Sequence, residues 1–419
     1  MTDRLNIVVF PFHDWRKCEQ QGLRRRDTSV VLGLADHPAV DRVLVVDRPL
    51  ALSHLLFETM RGRPPRVQRG ELVRKEVFSS LTRVEEKLFV LDFVVPDVIR
   101  SLLLGRAWWS HILRQQVVVR RTRAAAEFLG MTNPTLWLCT PVSAPLMGCL
   151  GEGLAVFDAI DDWRRHPEMG PYRRAATEGY EAIRQRADVI LCVSDSLAQS
   201  LAGGRAEPRW VPNGVDLALF TPDGPRALDV LELPAPRVGY AGVVERRVDL
   251  ELMTEVAAAM PHVSFVFVGP YDRRLVSPMK RLSNVHFLGA RRFEELPSYL
   301  RAMDVCLMPH RVDAFTKSMN PLKLYEYLAC GRPVVSTPVA GTEAFNGLVD
   351  VASTPQEFED SISRCLDSWP EEVAARRRAV EEHSWERRVD EMVDIVLQAQ
   401  HRKNGRREPV SASRGVLTA

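Results

Sequence analysis

The chain lacks the features that would make its chemistry plain at first reading. Its seven cysteines, Cys18, Cys139, Cys149, Cys192, Cys306, Cys330 and Cys365, form no C-x-x-C pair and stand in no histidine pattern. That argues against a zinc site or a disulfide framework and for reduced thiols in a cytoplasm. No apolar run reaches the roughly eighteen residues that span a bilayer, so any membrane work is done from the surface. The net charge is only +2, which gives no whole-molecule argument for nucleic acid. No glycine-ended strand continues into G-x-G-x-x-G with an acid beyond it, the mark of a plain dinucleotide oxidoreductase. The opening M-T-D-R-L-N-I-V-V-F-P-F turns polar too soon for a signal peptide and reads as a buried strand.

What is present is the composition of a soluble globular protein, 46% hydrophobic and 26% charged over 419 residues. That length exceeds one ordinary core and predicts two domains. Apolar strands are expected at Ile7 to Phe10, Val43 to Val46, Leu136 to Cys139, and within G-L-A-V-F-D-A-I and A-D-V-I-L-C-V. A Pro-rich crossing from Pro222 to Pro236 follows, and then strand and helix alternate through R-V-G-Y-A-G, V-S-F-V-F-V-G, V-H-F-L-G, V-C-L-M-P and P-V-V-S-T. Such alternation forces a mostly parallel sheet with its ligands at the carboxyl edge. Residues 61–75 read as a basic loop, and Trp385 to Val396 carry a 3.6-period apolar stripe.

One stretch organises the rest: N-P-L-K-L-Y-E-Y-L-A-C-G-R-P-V-V-S-T, Asn320 to Thr337. It reads as an Asn cap, Pro321 at the first helical position, a helix, a stop at Gly331 and a strand. Lys323 and Glu326, three apart, project the same way from its first turns. An open helix N-terminus attracts anions, Lys323 adds a full charge, and Glu326 suits a ribose hydroxyl pair. An ordinary surface helix with an i, i+3 ion pair carries the same pattern. Taken with W-V-P-N-G-V-D-L-A-L-F-T-P, N-V-H-F-L-G and D-V-C-L-M-P, in that order, the stretch resembles the donor half of GT-B glycosyltransferases of the family 4, or group 1, type.

The resemblance implies an α/β fold of two Rossmann-like doubly wound domains facing a cleft. Residues 1–218 would hold the acceptor and 219–384 the nucleotide-sugar donor, with a crossing helix at 385–402 and a disordered tail at 403–419. It implies a nucleotide-diphosphate sugar as donor, a sugar, lipid-linked sugar or small molecule as acceptor, no required metal, and retention at the anomeric carbon. The donor site is expected at Gly242, Gly269, Arg246, Arg247, His310, Ser318, Asn320, Pro321, Leu322, Lys323 and Glu326. Arg247 and Lys323 would stabilise the leaving diphosphate. Many members place a glutamate where this chain has Ser318, which weakens any inference about the sugar and the stereochemistry.

On the other side, the loop after the first strand offers His13, Asp14 and Trp15 for acceptor contact, and F-D-A-I-D-D-W brings Asp158, Asp161 and Asp162 to one strand end. If the reaction inverts, Asp14, Asp161 or Asp162 must act as base. Residues 101–123 combine arginines, Trp108 and Trp109 without an acid, the pattern of a membrane-surface helix or of a packed helix with one basic face. A GT-B sugar-nucleotide epimerase and a non-catalytic nucleotide-sugar-binding protein are the rival readings.

Overall fold

The apolar runs become strands buried on both faces. In the computed structural model, which describes residues 4–20, 22–23, 25–62, 69–368 and 372–405, they form two sheets. The first contains β1 (Leu5–Phe10), β2 (Val40–Val46), β3 (Leu50–Ala51), β4 (Glu71–Glu76), β5 (Ser79–Arg83), β6 (Leu88–Val95), β7 (Thr135–Leu138), β8 (Leu154–Ala159), β9 (Val189–Cys192) and β10 (Arg209–Trp210). Their order is β10-β9-β8-β7-β1-β2-β6-β5-β4, with β3 beside β6. The second contains β11 (Arg237–Ala241), β12 (Ser264–Val268), β13 (Val285–Gly289), β14 (Val305–Met308), β15 (Val334–Ser336) and β16 (Val349–Val351), ordered β13-β12-β11-β14-β15-β16 and parallel throughout.

Helices cover both faces of each sheet, so successive residues of one strand enter different cores. In β1, Ile7 and Val9 pack into one cluster while Val8 and Phe10 pack into the other. This is why the strand reads as a continuous apolar run and not as an alternation. The terminal helix Trp385–Gly405 crosses back to the first sheet, where Val389, Met392, Val393 and Val396 join the core with Ile7 and Val9. Lys403 fastens its far end to Asp188 at 2.7 Å. Of the tail expected to be disordered, residues 403–405 are helical and 406–419 lie outside the described residues.

Three expectations need correction. The supposed basic loop at 61–75 contains β4, which pairs antiparallel with β5, and β5 pairs antiparallel with the unanticipated β6. The edge strand E-L-V-R-K-E has four charged residues and only two apolar ones, the composition of a loop, so cross-strand pairing was invisible locally. The segment 101–123 is not one amphipathic helix: Val98–Leu104, Trp108–Ile112 and Gln116–Phe128 are separate, and Trp108 and Trp109 are buried core residues. Finally, Asn320 is no helix cap; the helix runs Leu322–Ala329 from Pro321 without a side-chain cap.

Candidate active site

Because no side chain caps the helix Leu322–Ala329, the N–H groups of its first turn keep their pull on an anion. Asn320 is engaged elsewhere. Its Oδ1 accepts from the Asn213 amide at 2.8 Å, its carbonyl accepts from Asn213 Nδ2 at 2.5 Å, and its Nδ2 donates to the Tyr325 hydroxyl at 3.0 Å. Asn213 and Asn320 thus tie the two halves together.

Lys323 lies along the backbone at the end of β11. A Cβ added to Gly242 would stand 2.2 Å from Lys323 Cε and 2.8 Å from Nζ, and Gly242 has φ +148°. Only glycine permits both the conformation and the approach. The amides of the two expected donor-site glycines are bonded within the fold, Gly242 N donating to Val268 O at 2.7 Å and Gly269 N to Gly289 O at 2.8 Å. What Gly242 supplies is room for the lysine. The ammonium sits 5.3 Å from the Tyr240 ring centre, and Tyr240 meets His310 edge-on.

His310 is buried with neither ring nitrogen hydrogen-bonded among the described residues. Burial, reinforced by Lys323 and Arg247, holds its imidazole well below the usual range, so it is neutral. Arg247 therefore converges on the same spot as Lys323. It is half-buried and paired with Glu245, whereas its neighbour Arg246 is exposed. Burial opposes its charge, but Glu245, Tyr240 and Asp161 keep it protonated. Glu326 turns to a different neighbourhood. With Leu322 and Phe293 it lines a cleft of about 670 Å³ that Leu23, Gly214 and Trp385 complete.

Across from these cations stands the loop after β8. Burial pushes the Asp161 carboxyl up to about 7 against the pull of Arg247, with Asp162 adding repulsion. Asp162 is occupied: Arg164 grips it with Nε at 2.7 Å and Nη2 at 2.9 Å. Asp158 lies inside β8, buried against Arg26 at 2.8 Å, and does not reach the loop. Asp14 caps the short helix Trp15–Gln20 by accepting from the Lys17 amide at 2.9 Å, and it also pairs with Arg16.

His13 Nδ1 lies 2.9 Å from the fully buried carboxylate of Asp27, and its Nε2 lies 3.1 Å from Arg25 Nη1. Burial lowers its pKa despite Asp27. Trp15 is corrected outright, because it is wholly buried in the core and cannot touch an acceptor. The partly exposed aromatic residue of this loop is instead Phe12, half-buried, which stacks on buried Trp163 at 3.7 Å and meets buried Trp109 edge-on.

The loop after β14 carries Ser318, which was expected in the donor site. In the structure Ser318 is buried, its hydroxyl donates to Phe315 O at 2.7 Å, and its carbonyl accepts from Ser194 Oγ at 2.6 Å. Ser196 Oγ donates to Lys317 O at 3.1 Å and Arg165 Nη1 to Ala314 O at 3.3 Å, so the loop is docked on the first half.

A family model described as glycosyl transferases group 1 matches residues 235–368, the stretch that carries β11, the Lys323 helix and β15. Residues 235–368 thus match a group 1 glycosyltransferase domain, and the chain as a whole has the GT-B fold. A Bacillus subtilis glycosyltransferase named for teichuronic acid biosynthesis is 30% identical over 223 residues, 49% of this chain and 56% of that protein, so this match spans little more than half of the relative. A GDP-mannose-dependent monoacylated phosphatidylinositol monomannoside mannosyltransferase of Corynebacterium glutamicum is 28% identical over 76% of this chain and 89% of its own. Sucrose-phosphate synthase of Thermosynechococcus elongatus shares the fold with a TM-score of 0.66 at 18% identity, covering 94% of this chain and 99% of that one. Anabaena HepE, solved with UDP and glucose, does so at 0.64 and 17%, covering 94% and 100%.

Sequence reading missed Arg26, which donates to Asp158, to Pro212 O and to Asn213 Oδ1, and so braces the interdomain loop. It also missed the role of Gly214. A Cβ there would fall 2.9 Å from Trp385 Cδ2, so the glycine admits the returning helix instead of making the N-G turn that the dipeptide suggests. The run R-R-R-D at 24–27 was the available signal for both Arg26 and Asp27; Arg24 lies outside the described residues.

Proposed function

We propose that this protein moves a glycosyl group from a nucleoside-diphosphate sugar to a hydroxyl of an acceptor, with retention at the anomeric carbon. Residues 219–384 hold the donor and 1–218 the acceptor, a sugar, a lipid-linked sugar or a small molecule, in glycan assembly on the cytoplasmic side. The observation that carries the reading is the meeting of Lys323, Arg247 and the uncapped helix Leu322–Ala329 around Gly242 and neutral His310. Charge grows on the diphosphate as the glycosidic bond breaks, and preorganised cations in a half-buried site stabilise it. No metal is required on this reading, because fixed cations meet the charge. Glu326, in the cleft, accepts from the ribose hydroxyls. The GDP-mannose and UDP named for a relative and a structural neighbour are consistent with a diphosphate donor.

With retention, the acceptor hydroxyl attacks the face from which the diphosphate leaves, and a diphosphate oxygen takes its proton. The inverting alternative has one observation on its side: Asp161, near neutrality and facing Arg247, has the pKa of a working base. The first experiment is thermal shift against UDP, GDP, ADP, CMP and TDP and their sugars, since a ligand of the folded state raises the melting temperature. One diphosphate should give a selective rise. Proton NMR of the product formed on adding acceptor then reads its anomeric configuration and separates transfer from epimerisation. Absence of a shift with every diphosphate would sink the reading.

A further inference from the structure

The basic, apolar segment in the first half reads either as a membrane-surface helix or as a packed one, and Trp108 and Trp109 are both buried. The exposed apolar residues lie just before them. On the helix Val98–Leu104, Ile99 is 73% exposed, Leu102 72% and Leu103 80%; on the helix Leu52–Met60, Leu56 is 53% and Met60 86% exposed. These helices pack together through the Ser53 and Ser101 hydroxyls, 2.6 Å apart. The β4–β5 turn adds Val77, 89% exposed, and the Val94 amide donates to Phe78 O at 2.8 Å, which sets that turn at the end of β6 where the Val98–Leu104 helix begins. Three separate segments thus leave large apolar side chains in water on one edge of the sheet, more than scattered exposure explains.

Their surroundings carry positive charge. Arg100 and Arg106 are exposed on and beside the second helix, and Arg61 lies 3.9 Å over the Phe57 ring at the end of the first. The nearby acids are largely engaged: Asp97 accepts from Trp108 Nε1 at 3.0 Å, and Glu76 pairs with Arg74 and Arg121, while Glu58 is half-buried on its helix. Apolar side chains ringed by arginines suit an anionic bilayer surface, where the chains enter the acyl boundary and the guanidinium groups meet headgroup phosphates. Among the described residues no helix is long and apolar enough to cross a membrane, so the contact is interfacial.

We propose that the helices Leu52–Met60 and Val98–Leu104, with the β4–β5 turn, dock this protein onto the surface of a bilayer containing anionic lipid. One short step along the chain, Trp109 meets Phe12 and carries Arg48 at 3.9 Å over its ring, so the patch adjoins the acceptor side of the cleft. The purpose, reaching an amphiphilic acceptor at the membrane, rests on the transferase reading. The docking itself does not.

The test is co-sedimentation of the full chain with vesicles of equimolar phosphatidylcholine and phosphatidylglycerol, and with phosphatidylcholine alone. Wild type should pellet with the anionic vesicles, weakly with the neutral ones, and less as salt rises. The double variant Leu102→Glu/Leu103→Glu should lose about tenfold or more in partitioning while keeping the wild-type melting temperature, because two side chains leave the acyl boundary and two negative charges arrive. Leu56→Gln/Met60→Gln, on the other helix, repeats the test if the first pair disturbs folding. Wild type that stays in the supernatant, or variants that bind as well as wild type, overturn the proposal. So does a solution dimer that the leucine variant splits, since a second copy would then cover the patch. Donor-induced thermal shift is read in the same samples: its absence with vesicle binding intact counts against the transferase reading alone.

Discussion

The two halves of the molecule use their charges in opposite ways. Around the first sheet, ionisable side chains are turned inward and satisfied by one another: Arg26 pairs with Asp158, Arg16 with Asp14, Asp47 and Asp92, and His13 is hydrogen-bonded to Asp27. Around the second, Lys323 and Arg247 are half-exposed beside a neutral histidine, and Glu326 is half-exposed in the cleft. The first arrangement fixes loops at the carboxyl edge of a mixed sheet. The second leaves charge available to a ligand. Mutations in the first half should therefore read out mainly as stability, and those in the second as donor affinity.

The largest effect should come from Arg26→Met. It strands Asp158, whose side chain is fully buried, without its counter-charge, and breaking such a pair costs about 3–5 kcal/mol. Urea denaturation should show that loss, and adding Asp158→Asn should recover part of it, because the orphaned charge is then removed. A loss no larger than that of Lys323→Ala would break the comparison.

Next in size is Lys323→Ala, the converse case. A charge-assisted contact to phosphate contributes about 2 kcal/mol, so the cognate diphosphate should bind roughly thirtyfold more weakly. Stability in urea should barely move. Arg246→Ala, one position from the inward-turned Arg247 but exposed, should change neither quantity. Calorimetric titration of the three proteins checks this, and equal losses at 246 and 323 would mean a diffuse field instead of a built site.

The same asymmetry explains what the sequence made legible. The second sheet is regular: every strand is parallel, and the strand-helix alternation, Lys323 and Glu326 follow from local signals. Distant pairings in the first half leave no such local trace. β6 is as apolar as its neighbours, but that it joins an antiparallel hairpin depends on β5, whose own sequence S-S-L-T-R carries little pattern. Trp15 stands beside His13 and Asp14 in sequence, yet the short helix that starts with it turns its ring into the core. Asn320 and Ser318 looked like ligand groups because they flank the donor helix, and only the fold shows them bonded to Asn213 and Ser194 from the other half.

The smallest predicted effect tests the one carboxylate that crosses this division. Asp161 belongs to the first half but faces Arg247, and burial raises it from an ordinary 3.8 to about 7. A carboxyl raised in the folded state favours folding fully below its unfolded pKa, and that contribution is lost as pH rises through the folded value. Wild type should therefore lose stability relative to Asp161→Asn between about pH 4 and pH 7, by about 1–2 kcal/mol once partial exposure is allowed for. Melting curves of the two proteins across that range measure the difference. Donor affinity should follow the same titration: above pH 7 the ionised carboxylate competes with diphosphate for Arg247, so wild type weakens severalfold while Asp161→Asn stays level. An identical pH profile in the variant would remove Asp161 from the donor's electrostatics.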